Sequence, residues 1–552
     1  MTIDVVGVEV YARRGHADLT WSYDGRRVDV TVRAAGTEPA QLDRVEIALD
    51  LQPSRVLEHG HQSWSVVRRT TADDVRPERA GIPDWARGCH VSAPDRAGHV
   101  VAGDQFLVTD EGVVGFLDAR SHLGVVEARR SGVVAVALLD GVELAPGAER
   151  ALDPLWVADG DPGALYSAYA REWGRVAGAR VGRGRGGSER EALAPTTGWC
   201  SWYQYFAGVT PGDVRANLRL AAAHGIDLVQ VDDGYQSAVG DWLTTSDAWR
   251  EGTEALAGEI RAAGVRAGIW TAPFLAGAGS ALLAAHPDWL SAHSSGHPSK
   301  AAYNPGSWGG FAYALDTTRD DVLDHLRSTF AALTAQGFDY HKIDFCYAAA
   351  LPATRRDPTK TRAEALRLGL DAVREGIGDD AFLLGCGCPF GPAVGVVDAM
   401  RVSADVAPVW QPEASWPGFA ETAPSARNAI AASVLRAPLH RRVFLNDPDC
   451  LLLRPTDTGL DARQRQVLSD AVAGSGAFLV LSDDLDRYGD AEWRAADGIR
   501  AAQSRLDVEL DIADPFADPV VVGAADGSWS LTIDWDAPTS SFEPGLAALG
   551  GR

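Results

Sequence analysis

The residues with the most chemical potential are aspartates that follow short apolar runs. IDLVQVDD ends in Asp232 and Asp233, FDYHKIDF carries Lys342 and Asp344, and VDAMRVSAD carries Arg401 and ends at Asp405. RVFLNDPD ends in Asp447 and Asp449, and RAGIWTA presents Trp270. A single aspartate in such a place is as often a loop cap or an ion-pair partner as a reactive group. Five runs ending in such polar or aromatic groups, four of them in aspartates and with few basic neighbours, suggest carboxylates converging on one site. Cleavage of a glycosidic bond needs two of them: one attacks the anomeric carbon or activates water, and the other protonates the leaving oxygen. Lys342 and Asp344 are two residues apart, so on a strand they share a face. The ammonium would favour an ionised Asp344 and so a nucleophile, and a purely structural ion pair is the alternative. Arg401 precedes Asp405 by four residues and shares its face if the strand continues that far, where it would clamp the carboxylates or a hydroxyl.

The elements that position these residues follow from periodicity. Eight apolar runs, near residues 196, 226, 266, 338, 381, 397, 442 and 477, alternate with Ala- and Leu-rich amphipathic segments such as PGDVRANLRLAAAHG and RDDVLDHLRSTFAALTAQG. Eight strand-then-helix units describe a (β/α)8 TIM barrel over residues 193–500, whose active site belongs at the C-terminal ends of the strands. The interval between the fifth and sixth runs is too short for a full helix, which predicts a loop or turn there. Residues 1–185 show period-two alternation with Gly and Asp turns and read as an N-terminal β-sandwich. GRVAGARVGRGRGGSERE reads as a linker. Residues 503–552 return to β pattern in LDVELDIA, PVVVGA and WSLTIDW, a small C-terminal β domain.

Composition narrows the function classes. The 552 residues carry a formal net charge of −24, which argues against nucleic acid and against an anionic membrane surface as partners. A neutral sugar meets no such objection. No apolar run reaches the roughly 18 residues of a spanning helix, and the first residues lack a basic start and apolar block, so a cytoplasmic location is expected. Six cysteines are expected as free thiols. Cys386-Gly-Cys388 lacks the usual zinc spacing, and neither a metal nor another cofactor is expected. Seventeen tryptophans are unusual beside two methionines. Most belong in cores, but a few offer flat faces on which sugar C–H groups stack.

Taken together, HGHQSWS at 59–65, GWCSWYQYF at 198–206, VDDGYQ at 231–236, GIWTAPF at 268–274, HPDW at 286–289, KIDF at 342–345, GCGCPFGPAVGVVDAMRVSADVAPVW at 385–410 and NDPD at 446–449 resemble the α-galactosidases (melibiases) of glycoside hydrolase family 36, in clan D. The motifs span most of the chain in family order. The resemblance implies a retaining double displacement that releases terminal α-linked galactose from oligosaccharides, with Asp344 as nucleophile and Asp405 as general acid/base. It implies that Asp232 and Asp233 hold sugar hydroxyls, that Trp270, Lys342 and Arg401 contact the sugar or the acid/base, and that Trp202 and Trp64 wall the subsite. Trp64 would reach in from the N-terminal domain. Cys386 falls where the family pocket approaches the 2-hydroxyl. Ser403-Ala-Asp405 departs from the Ser-Asp-x-x-Asp pattern of larger members and matches the compact branch. An α-N-acetylgalactosaminidase, a transglycosidase of the raffinose-synthase kind and a non-catalytic sugar-binding protein stay open as alternatives. The oligomeric state stays open as well.

Overall fold

The computed structural model describes residues 3–72, 101–181, 196–412, 420–476 and 478–550. Most of the linker segment and Cys89 lie outside the described residues.

The barrel strands form where the apolar runs predict them: β1 Thr196–Cys200, β2 Leu228–Val231, β3 Arg266–Thr271, β4 Tyr340–Ile343, β5 Phe382–Gly385, β6 Ala399–Arg401, β7 Leu445–Asp447 and β8 Phe478–Leu481. All neighbouring pairs are parallel, and the sheet runs β7-β6-β5-β4-β3-β2-β1-β8. The two ends of this order meet through a single parallel bridge between Leu451 and Leu481, beyond the end of β7. Strands buried on both faces explain the continuous apolar runs, as in LVQV and FLVL, rather than alternation. Between β5 and β6 the crossover shrinks to the four-residue turn Phe390–Ala393, as the short interval predicts. The long interval between β3 and β4 holds an antiparallel three-stranded excursion, Leu275–Gly277, Lys300–Asn304 and Gly310–Ala314, which the sequence reading left unmarked.

The N-terminal β structure consists of a five-stranded and an eight-stranded antiparallel sheet. Strand Ala40–Leu49 alternates buried and half-buried residues along nearly its whole length, so one face meets the other sheet. Val32, Leu42, Ile47, Phe116 and Ala135 lie in the core between them. From this sandwich the hairpin of Arg55–His59 and Val67–Thr71 extends its connecting loop, with Trp64, to the barrel. The C-terminal strands Leu510–Ile512, Val520–Ala524, Ser530–Asp534 and Thr539–Glu543 pair in chain order as one antiparallel sheet. The last of the four was not anticipated.

Reading the first 180 or so residues as wholly β needs correction. Pro162–Ala177 is a 16-residue α-helix. Its signals are in the sequence: Asp161 accepts from the Ala164 N–H as N-cap, Pro162 opens the first turn, and Gly178 ends the helix in left-handed geometry at φ 71°. Tyr166, Tyr169, Ala170, Trp173 and Ala177 recur at helical spacing and are all buried. This stripe wedges between sandwich and barrel. Tyr169 Oη donates to the carbonyl of Phe116 in the sandwich at 2.6 Å, and Tyr166 Oη donates to that of Leu435 beyond the barrel wall at 3.2 Å. A Cβ on Gly174 would stand 1.8 Å from the Arg442 carbonyl, so only glycine permits the approach.

Trp173 is fully buried within this wedge, beside Phe106 and Tyr169. Trp173→Ala is expected to lower unfolding stability by about 3–5 kcal/mol in urea titrations, because the vacated volume cannot close between two rigid bodies. Trp173→Phe, which keeps the ring, should cost well under half of that. Equal losses for the two variants would mean that the wedge does not depend on aromatic packing.

Candidate active site

Side chains from five barrel strand ends, the β3–β4 excursion and the sandwich hairpin surround one pocket of about 450 Å³, open mouth included. Its lining comprises Trp64, Trp202, Tyr203, Asp232, Asp233, Trp270, Asn304, Trp308, Lys342, Asp344, Phe345, Arg401 and Asp405. Nine of the ten residues that the family resemblance assigns to the site are in that set. The tenth, Cys386, is buried directly after β5, where its N–H donates to the Ile343 carbonyl at 2.7 Å, and it is not part of the lining.

Asp344 is the first residue beyond β4. Trp270 Nε1 donates to its Oδ2 at 3.0 Å, and the backbone N–H of Phe345 donates to its Oδ1 at 2.7 Å, so each oxygen is fixed. Burial raises the Asp344 pKa above the ordinary carboxylate range, while Lys342 and the Trp270 N–H pull it back. Lys342, however, makes its ion pair with Asp232, at 2.9 Å, and not with Asp344. Burial works against the ammonium, but Asp232 and its neighbours outweigh that and hold the Lys342 pKa well above its usual value. Asp232 Oδ2 also accepts from Gln230 Nε2 at 2.7 Å.

Asp233, next in the chain, accepts from Gln236 Nε2 at 2.5 Å and from Trp308 Nε1 at 2.8 Å. Burial pushes its pKa up to about 6 despite these two donors. Phe345 sits in the left-handed region at φ 52°, an uncommon conformation for a bulky residue. That turn sets its ring edge-on between Trp64 and Trp308, at 4.9 and 5.0 Å.

Asp405 lies four residues past the end of β6, in the following loop, since the strand stops at Arg401. The two side chains meet nonetheless. Arg401 Nη2 donates to Asp405 Oδ1 at 2.9 Å, and Trp64 Nε1 donates to the same oxygen at 3.1 Å. Arg401 also pairs with Asp449, whose Oδ2 accepts from Tyr203 Oη and from the Val406 N–H. Burial pushes Asp449 up to about 6, with Arg401 pulling the other way. The guanidinium therefore bridges two carboxylates, one buried and one facing the pocket. The Asp405 side chain keeps 34% of its exposure.

Trp64 reaches this position because the chain makes room for it. Gly387 stands at φ 50°, and a Cβ there would lie 2.9 Å from the Trp64 ring. The Gly387 N–H donates to Ser63 Oγ at 2.9 Å, tying the hairpin loop to the β5–β6 connection.

Four lining residues were not singled out from the sequence. Tyr203 and Phe345 adjoin Trp202 and Asp344, and adjacency was their one signal. Asn304 and Trp308 come from the excursion between β3 and β4, which announced itself only as an unusually long interval. Among the described residues, no cluster of three or more His, Cys, Asp or Glu side chains has an arrangement suited to a metal ion. No helix among them is long and apolar enough to cross a membrane.

Residues 201–379 match the melibiase family model. The α-galactosidase AgaA of Geobacillus stearothermophilus is 30% identical over 173 residues, 29% of this chain and 22% of the relative, and an α-galactosidase of Escherichia coli is 24% identical over 152 residues, 26% and 20% respectively. The aligned stretch thus spans about a fifth of these curated relatives. Among solved structures, the α-galactosidase TtGalA of Thermus thermophilus, in complex with p-nitrophenyl α-D-galactopyranoside, superposes with a TM-score of 0.68 at 26% identity, covering 88% of this chain and 93% of that one. AgaA in complex with stachyose superposes at 0.63 and 15% identity, over 96% and 78%, a likeness of fold. The barrel segment matches the melibiase family model, and the fold from sandwich to C-terminal sheet is similar to that of solved α-galactosidases.

Proposed function

We propose that the protein is a retaining α-galactosidase that removes terminal α-linked galactose from oligosaccharides. The observation that carries this reading is the pairing of two carboxyl groups on one pocket, Asp344 with both oxygens fixed by N–H donors and Asp405 open to solvent. TtGalA in complexes with an aryl α-galactoside and with stachyose, and AgaA with raffinose, give the substrate class its support.

Asp344 attacks the anomeric carbon from the β face while Asp405 gives its proton to the departing glycosidic oxygen, leaving a β-linked galactosyl ester on Asp344. Asp405, now a carboxylate, takes a proton from water, which attacks the same carbon and restores the α configuration. Asp232, held by Lys342, and Asp233 accept hydrogen bonds from sugar hydroxyls, and Trp64, Trp202, Trp270 and Phe345 supply apolar walls for its C–H faces. Arg401 orients Asp405 and stabilises its charge after proton transfer. Cys386 backs the β5 side of the pocket near the 2-hydroxyl. Five buried free thiols fit a reducing, cytoplasmic setting.

Asp344→Gly is expected to abolish hydrolysis of p-nitrophenyl α-galactoside, and added azide should restore nitrophenol release with β-galactosyl azide as product. An α-configured azide product, or activity that survives the substitution, removes Asp344 from the role of nucleophile.

The pH dependence of sugar binding is expected to follow Asp233. Its ionised form accepts sugar hydroxyls, and burial delays ionisation until about pH 6. Galactose affinity should therefore rise about tenfold between pH 5 and pH 7 as the proton leaves, measurable by calorimetry. In Asp233→Asn, affinity should be weaker and nearly flat over that range. A slope unchanged in Asp233→Asn would assign the proton to another carboxyl group, with Asp449 next in line.

A further inference from the structure

Arg436 caps the C-terminal end of helix Ala426–Leu435 and is completely buried. A buried guanidinium ordinarily needs a carboxylate. Here all five described hydrogen bonds go to neutral acceptors. Nε donates to His59 Nε2 at 3.2 Å, Nη1 to the carbonyls of Val402 and Ser63, and Nη2 to those of Gly60 at 3.1 Å and Gln62 at 3.2 Å. Three of the five acceptors belong to the loop that carries Trp64, a fourth, His59, ends the strand leading into it, and the fifth, Val402, directly follows β6. The guanidinium also lies over the Phe390 ring at 4.8 Å, while the Phe390 N–H donates to the His61 carbonyl at 2.8 Å. Burial lowers the Arg436 pKa to about 9, with Tyr166 and Asp104 pulling the other way, so the charge is kept at a cost.

The loop needs such a fastening. Residues 60–65 form no strand, and their carbonyls point into a protein interior where each must find a donor. Among the described residues, Arg436 is the one side chain that serves three of them at once, because its planar fork presents donors in several directions. From the loop the restraint passes directly to the chemistry. Gln62 Oε1 accepts from the Trp64 N–H at 2.7 Å, and the Trp64 indole N–H donates to Asp405.

We infer that Arg436 is a positioning residue for the active site: it clamps the 59–65 loop of the N-terminal sandwich against β6 and thereby holds the Trp64 indole on Asp405. It touches no substrate. This inference rests on the proposed glycosidase reading for its kinetic arm only.

Two arms test it. Arg436→Lys and Arg436→Gln keep a donor but cannot reach the three carbonyls together. With p-nitrophenyl α-galactoside, Arg436→Lys should lower kcat/KM roughly tenfold. In a Trp64→Phe background, which lacks the indole N–H, the same substitution should cost less than about threefold, since the path through Trp64 is already broken. Equal factors in both backgrounds would overturn the inference, because a general loss of stability acts alike in each. The second arm needs no substrate. In protein labelled with 5-fluorotryptophan, the 19F resonance missing from Trp64→Phe identifies Trp64. Either Arg436 variant should shift or broaden that resonance while those of Trp173 and Trp199, assigned in the same way, stay in place. An unmoved Trp64 resonance in a folded variant overturns the inference. If no aryl glycoside is turned over at all, the glycosidase reading fails while the spectral arm still decides the role of Arg436.

Discussion

The structure depends on an imbalance of buried charge at the barrel mouth. Asp232, Asp233, Asp344, Asp405 and Asp449 converge there, with Lys342 and Arg401 as the cations in contact with them. Crowding carboxyl groups against two cations in a poorly solvated cavity makes their charged forms costly. Burial can resolve such a conflict by separating the pKa values of chemically identical groups. Here Asp233 and Asp449 are pushed up to about 6 and Asp344 is raised, while Lys342 and Arg401 are held firmly protonated by the same field.

That constraint explains why one pocket draws on two domains. Asp405 sits in a loop beyond β6, where no strand hydrogen bonds fix it. Arg401 secures one of its oxygens from within the barrel, and Trp64 reaches the same oxygen from the sandwich. The helix Pro162–Ala177, bonded to the sandwich through Tyr169 and to the barrel side through Tyr166, keeps the two bodies in register. Truncation to the barrel would leave Asp405 with half of its support.

Much of this is legible in the sequence, for identifiable reasons. Most barrel strands lie in short, largely apolar runs that give way to a polar residue, a pattern that survives without any long-range information, and Asp232, Asp344, Asp447 and Trp270 stand at or next to their ends. Helix Pro162–Ala177 carried cap, proline, glycine and an aromatic stripe, but it followed strands whose alternation was extrapolated across it. Trp308 and Asn304 were beyond reach for a different reason. They sit on a hairpin inserted between β3 and β4, and nothing local says that its tip folds back over the pocket to meet Asp233. The ion pair of Lys342 is hidden for the same reason. Spacing sets Lys342 on one face with Asp344, whose charged form it does favour, whereas its ion-pair partner, Asp232, comes from the end of β2, two strands away in the sheet. Sequence neighbours along one strand are visible in advance, and neighbours across a barrel are not.

The difference between the two principal carboxyl groups carries the chemical argument furthest. A nucleophile must present one oxygen along a fixed line to carbon, and an N–H on each oxygen of Asp344, from Trp270 and Phe345, enforces such a line while favouring the charged form. An acid/base group must exchange its proton with solvent once per turnover, which a sealed carboxyl cannot do at useful rates. In the proposed reading Asp405 meets that need, since a third of its side chain remains exposed while Arg401 and Trp64 restrain only Oδ1. Its second oxygen has no described protein donor competing for it, so it is free to address a leaving group or a water. Exchanging the two roles would ask the buried group to recruit water and the open one to hold its aim, which inverts what the surrounding side chains support.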